Sequence, residues 1–197
     1  MNLILDSFES EQLDEVFTAV TMPRLKSLMI TLRGDEGVDF GNAEDPWSSL
    51  PNLCALSLVI AKSDFNYHSQ RFRSPNPDLN ISGWSKLFEI APALHSLRFH
   101  RFGSNWSAIV RELKLSALTL HALQIEDSDI GPKDLLSIFK NRGSQSNHPI
   151  PCFAIIRCPK IPLEMKFHLR QLCQGLLWQS VWEADGRWKE LGDDLDD

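Results

Sequence analysis

The side chains in this chain that could do chemistry are few and scattered. The six histidines are His68, His95, His100, His121, His148 and His168, and the four cysteines are Cys54, Cys152, Cys158 and Cys173. His95 and His100 fall in one extended segment at an odd separation, which puts them on opposite faces of a strand and rules out a shared metal there. No Cys-x-x-Cys pair, His-Glu-x-x-His, Gly-x-Ser-x-Gly, phosphate-binding glycine loop or dinucleotide fingerprint occurs. These residues predict no catalytic, metal or cofactor-binding site, and so a protein that is not an enzyme and takes no cofactor. Arg71-Phe72-Arg73, with Phe65 and Tyr67 close by, interleaves arginine and aromatics as a base-stacking surface requires. The formal net charge of −6 gives no long-range attraction to phosphates. The reading is therefore no nucleic acid and no membrane partner, with 61–80 as a mobile or protein-contacting loop.

The length of 197 residues suits one domain or one compact array, and 43% hydrophobic with 23% charged residues excludes wholesale disorder. The cysteines read as reduced structural thiols of a cytoplasmic or nuclear protein. Leu3-Ile4-Leu5 is too short for the core of a signal peptide, and no run approaches the ~18 apolar residues of a membrane span.

What organises the chain is a recurring pattern. Pro23-Arg24-Leu25-Lys26-Ser27-Leu28-Met29-Ile30, Pro51-Asn52-Leu53-Cys54-Ala55-Leu56-Ser57-Leu58 and Pro92-Ala93-Leu94-His95-Ser96-Leu97-Arg98-Phe99 share one form. Leu120 to Ile125 repeats it without the proline, Ile150 to Ile155 is a weaker copy, and Leu3-Ile4-Leu5 a truncated one. Measured at Leu3, Leu28, Leu56, Leu97, Leu123 and Phe153, the units are 25, 28, 41, 26 and 30 residues long. Between them lie helical spacings: Leu13, Val16, Phe17 and Val20; Trp84, Leu87, Phe88 and Ala91; Trp106, Ile109, Val110 and Leu113. A helix opening at Pro132 should stop near Gly143, and a last one should run from about Leu163 to Cys173. Strand and helix in alternation predict an α/β chain with a parallel sheet, each unit too small to bury its own core.

The Leu-x-x-Leu-x-Leu core with intervening helices resembles leucine-rich repeats. The irregular period, the proline two residues before the first Leu and the Trp-led helices resemble the divergent repeats of fungal F-box proteins. The resemblance covers roughly residues 1–160. It implies a solenoid of about six irregular repeats, with a curved parallel sheet and helices on its convex side. It also implies the substrate-recognition region of an F-box-type ubiquitin-ligase receptor, with a protein partner on the concave face. The F-box and its adaptor would belong to an N-terminal region outside this sequence. The asparagine that follows the strand in standard repeats is missing, since Thr31, Val59, His100 and Glu126 stand three residues past the second core Leu. Two other readings stay open: an interaction scaffold without a ligase link, and a partial gene product with no activity of its own.

In such strands the leucines point inward and the residues between them outward. The outward set gives the candidate protein-binding residues Met29, Val59, Arg98, His100, Gln124 and Glu126, a polar cluster beside an apolar patch. Residues 1–175 form the expected array. Residues 176–197, with Trp178, Trp182, Trp188 and an acidic tail, form a C-terminal cap in which Asp185-Gly186 joins two extended pieces.

Overall fold

A computed structural model describes residues 1–8, 22–32, 38–39, 50–60, 81–82, 84–103, 106–116, 120–145, 150–179, 181–182 and 188–189. Seven strands form one parallel sheet in which each lies beside the next in chain order. They are β1 (Asn2–Phe8), β2 (Ser27–Leu32), β4 (Ala55–Ile60), β6 (Ser96–His100), β7 (Ala122–Glu126), β8 (Cys152–Ile156) and β9 (Gly175–Gln179). Two short pairs stand apart in the pairing: β3 (Val38–Asp39) with β5 (Ile81–Ser82), and β10 (Val181–Trp182) with β11 (Trp188–Lys189).

The register follows from the leucines. Leu3, Leu28, Leu56, Leu97, Leu123 and Phe153 stand directly beside one another across six strands, and Leu176 continues the file. The next inward file holds Ile30, Leu58, Phe99, Ile125, Ile155 and Trp178, all buried. A slip by one residue would turn every one of these side chains out of the core, so apolar burial fixes the pairing. Each fully buried aliphatic side chain contributes about 1.5–3 kcal/mol.

The prolines have a local cause. The Leu25 N–H donates to the Met22 carbonyl at 3.1 Å, Leu53 to Leu50 at 3.1 Å and Leu94 to Ala91 at 3.0 Å. Each bond closes a β-turn with Pro23, Pro51 or Pro92 at its second position, where the ring's fixed φ is already correct. The turn aims the first Leu of the unit inward and starts the strand. Strand entry is also shared: the Lys26, Cys54 and His95 carbonyls each accept two N–H groups from the following unit.

Helices cover the buried face. Trp106–Ser116 lays Trp106 edge-on against Phe99 at 5.4 Å, and Pro132–Gln145 sets Phe139 against Phe153 at 4.8 Å. Trp84–Ile90 and Glu164–Leu172 complete the described helices. The third of the four, Pro132–Gln145, passes through Gly143 instead of stopping there, because glycine takes the helical conformation as readily as the left-handed stop. The helix expected over Leu13 to Val20, the 61–80 loop and the acidic tail lie outside the described residues.

The sheet also runs one strand further than the recurring pattern. β9 crosses the expected boundary at 175, and Trp178 packs into the common core. Gly175 allows this: a Cβ there would stand 3.2 Å from the Pro151 carbonyl oxygen, which accepts the Gly175 N–H at 2.8 Å. Trp182 pairs with Trp188 in the antiparallel β10–β11 ladder, and the turn expected at Asp185-Gly186 lies outside the described residues.

Candidate functional site

Among the described residues, no helix covers the other face of the sheet. Strand alternation puts three files of side chains on it. The central file runs Ile4, Met29, Ser57, Arg98, Gln124, Ala154, Leu177, and the next runs Thr31, Val59, His100, Glu126, Ile156. All six residues singled out by sequence lie on this face. Met29 is diagonal to Val59 on neighbouring strands, and Val59 stands directly beside His100. The apolar patch therefore borders the polar cluster.

The polar cluster is larger than expected, and it is tied. The Arg98 guanidinium donates through Nη2 to Glu126 Oε2, and Gln124 Nε2 donates to the same oxygen at 3.1 Å. Arg157 Nη2 donates to Glu126 Oε1 at 2.6 Å. It also holds Asp127 in a two-pronged pair, Nε to Oδ1 at 2.6 Å and Nη2 to Oδ2 at 2.7 Å. His100 Nε2 lies 3.0 Å from Asp127 Oδ2. Glu126 is only 8% exposed because two guanidiniums cover it, so it is a buried anchor and not the exposed contact residue expected. Reversing its charge would set a cation against two arginines.

Asp127 and Arg157 were not singled out by sequence. Both have positive φ, 47° and 50°, as does Arg101 at 65°. The three occupy one offset, four residues after Leu97, Leu123 and Phe153, where each chain leaves its strand. Left-handed backbone costs a non-glycine residue roughly 1–2 kcal/mol. Bonds to the next strand offset it: Arg101 N–H donates to the Glu126 carbonyl and Asp127 N–H to the Ile156 carbonyl, both at 2.9 Å. The turn keeps Asp127 and Arg157 beside the open face, where strict alternation would have sent them into the core. Aligning the copies one position further would have exposed the alternation Arg, Asp, Arg.

Just beyond, Ser128 closes the turn. Its buried hydroxyl donates to the Glu126 carbonyl at 2.7 Å and accepts the Phe102 N–H at 3.0 Å. Cys158 holds the matching place one strand on, with its thiol 3.5 Å from the Ile156 carbonyl. The polar turn-closing position is thus three residues past the second inward side chain of the strand, two later than the sequence comparison placed it.

Burial alone would push both carboxyls up. For Glu126 the Arg98 hydrogen bond, with the charges of Arg98, His100 and Arg157, outweighs burial and lowers it. Asp127 is held well below the usual carboxylate range by its bonds to Arg157 and His100. The Arg157 guanidinium is raised in turn, chiefly by its bond to Asp127. His100, Glu126 and Asp127 place ligand atoms within 4.8 Å of one another, near enough for a cation. Both carboxylates are already engaged by arginine, which supplies the positive charge a metal would bring. His95 is elsewhere, edge-on to His121 at 6.1 Å.

Comparison with known proteins returns no match: no family model fits the chain, and no curated protein or solved structure matches it. Among the described residues, no helix is long and apolar enough to cross a membrane.

Proposed function

We propose that this chain is a protein-binding module built as a leucine-rich-repeat-like solenoid, and that the open sheet face is its binding surface. The observation that carries the reading is the alignment of Met29, Val59, Arg98, His100 and Gln124 on that one face, with Glu126 and Asp127 holding the arginines. Apolar side chains at the margins of a rigid polar centre suit a protein partner. Recurrence of the Pro-initiated turn, the inward leucine file and the left-handed strand exit at fixed offsets supports the repeat reading. The F-box resemblance adds the finer proposal that the partner is a substrate for ubiquitination, selected here while an adaptor is held elsewhere.

The test is affinity purification from the native cell with the tagged chain, using Met29→Glu with Val59→Glu as the control. A partner retained by the wild type and lost by the control supports the module. Co-recovery of a ligase adaptor and cullin supports the receptor role. A chain that brings down only chaperones is not a working binding protein.

A further inference from the structure

The tied arginines point to what the open face recognises. Glu126 and Asp127 fix two guanidiniums side by side, Arg98 39% exposed and Arg157 37% exposed at the side chain. Their network uses Nη2 of Arg98 and both Nε and Nη2 of Arg157. Among the described residues, the Nη1 groups of both take no part in it. Held this way, the two side chains have already lost the rotamer freedom that a flexible arginine would give up on binding.

The local charge has the same sense. Next to the network stand Arg101, whose backbone N–H donates to the Glu126 carbonyl at 2.9 Å, and the pair of Lys160 with Asp129, whose charged atoms are 2.7 Å apart. Among the described residues, Arg98, Arg101, Arg157 and Lys160 against Glu126, Asp127 and Asp129 leave one positive charge in excess. That excess sits on a chain whose formal net charge is −6. A single carboxylate would balance it, and a guanidinium pair is the donor set such a group takes.

The central file supplies the flanks. Ile4 is 64% exposed and stands beside Met29; Leu177 is 44% exposed and stands beside Ala154. Strands lie about 4.8 Å apart, so Met29 is about 10 Å to one side of Arg98 and Leu177 about 14 Å to the other. An extended chain advances about 3.3 Å per residue and covers these distances in about three and about four residues. Alongside, Ser27, Ala55, Ser96 and Ala122 form a file of small side chains over which a backbone can pass closely.

We propose that the face takes an extended segment of a partner protein lying across the strands. An Asp or Glu of that segment seats on Arg98 and Arg157. An apolar residue about three positions to one side meets Ile4 and Met29, and another about four positions to the other meets Leu177. The proposal rests on the reading that this face binds protein, and it adds the chemistry of the segment.

The experiment is selection of short random displayed peptides on the full chain, followed by affinity measurements on the enriched sequences. The expected result is enrichment of an acidic residue between two apolar ones at these spacings. Replacing that Asp or Glu by Asn or Gln in the peptide should weaken binding at least about tenfold. Arg98→Gln should do the same, and the peptide change gives this answer without any risk to the fold. Enriched peptides that lose binding with Leu177→Glu yet carry no acidic residue would overturn the proposal and leave the protein-binding reading standing. Peptides insensitive to every change on this face, or no enrichment, would overturn both. Preference for oligonucleotides over acidic peptides in competition would overturn it in favour of phosphate recognition.

Discussion

Arg157 and Asp127 meet in a two-pronged ion pair although 30 positions separate them in the chain. Each reaches the other from a left-handed turn at the end of its own strand, and the parallel register sets those turns side by side. The pair fixes Arg157, and Arg157 with Arg98 covers Glu126. The organisation of the open face therefore depends on a contact between two strand exits.

Removing the carboxylate should show this directly. Asp127→Ala leaves Arg157 without its main partner and His100 without its contact. A loss of about 1–3 kcal/mol is expected in urea denaturation, since the pair is partly buried and hydrogen-bonded. A loss under about 0.5 kcal/mol would mean that the pair behaves as an ordinary surface ion pair.

Acid should act through the same groups. Glu126 and Asp127 both have folded-state values depressed below the unfolded ones. Their stabilisation is fully present above the unfolded carboxylate value of about 4 and is lost as the pH falls below it toward the folded values. Urea midpoints of the wild type and of Asp127→Asn should stay apart from neutral pH down to about pH 4 and draw together below it. A gap that stays constant would remove Asp127 as a source of acid sensitivity.

The thiols should divide by burial. Burial pushes the Cys158 thiol up to about 12 and Cys173 up to about 11, whereas Cys152 is exposed. Alkylation of the native protein at mildly alkaline pH, followed by peptide mass spectrometry, should mark Cys152 first and Cys158 only on unfolding. Early labelling of Cys158 would mean that the β7–β8 strand exits open readily.

The core file should be far more sensitive than the face. Leu97→Ala removes a side chain buried between Leu56 and Leu123 and should cost about 2–5 kcal/mol. Ile4→Ser on the exposed face should stay within about 0.5 kcal/mol. Equal losses in thermal or urea unfolding would contradict the inward and outward assignment.

Truncation probes the last strand. A chain ending at residue 174 loses β9 and Trp178 and bares the edge of β8, so its melting temperature should fall. A chain ending at residue 179 keeps the sheet complete and should melt closer to the full length. An unchanged melting temperature for the shorter chain would mean that β9 adds nothing to the core.

The sequence by itself determined the parallel arrangement of the strands and which of their side chains turn inward. Apolar residues two positions apart in a strand share one face, and prolines at the second position of a turn place the start of each unit and aim its first Leu inward. Those are local demands, legible from residue type and spacing. The same alternation assigns the six candidate residues to one face. Only the tertiary structure decided that the sheet continues through β9, where Gly175-Leu176-Leu177-Trp178 lacks the recurring pattern and pairs through backbone bonds to β8. It also decided that Glu126 is buried and that Asp127 and Arg157 join the face. Alternation assigns a side for as long as the strand lasts; where the backbone turns left-handed, the side is set by the bonds and charges of the neighbouring strand.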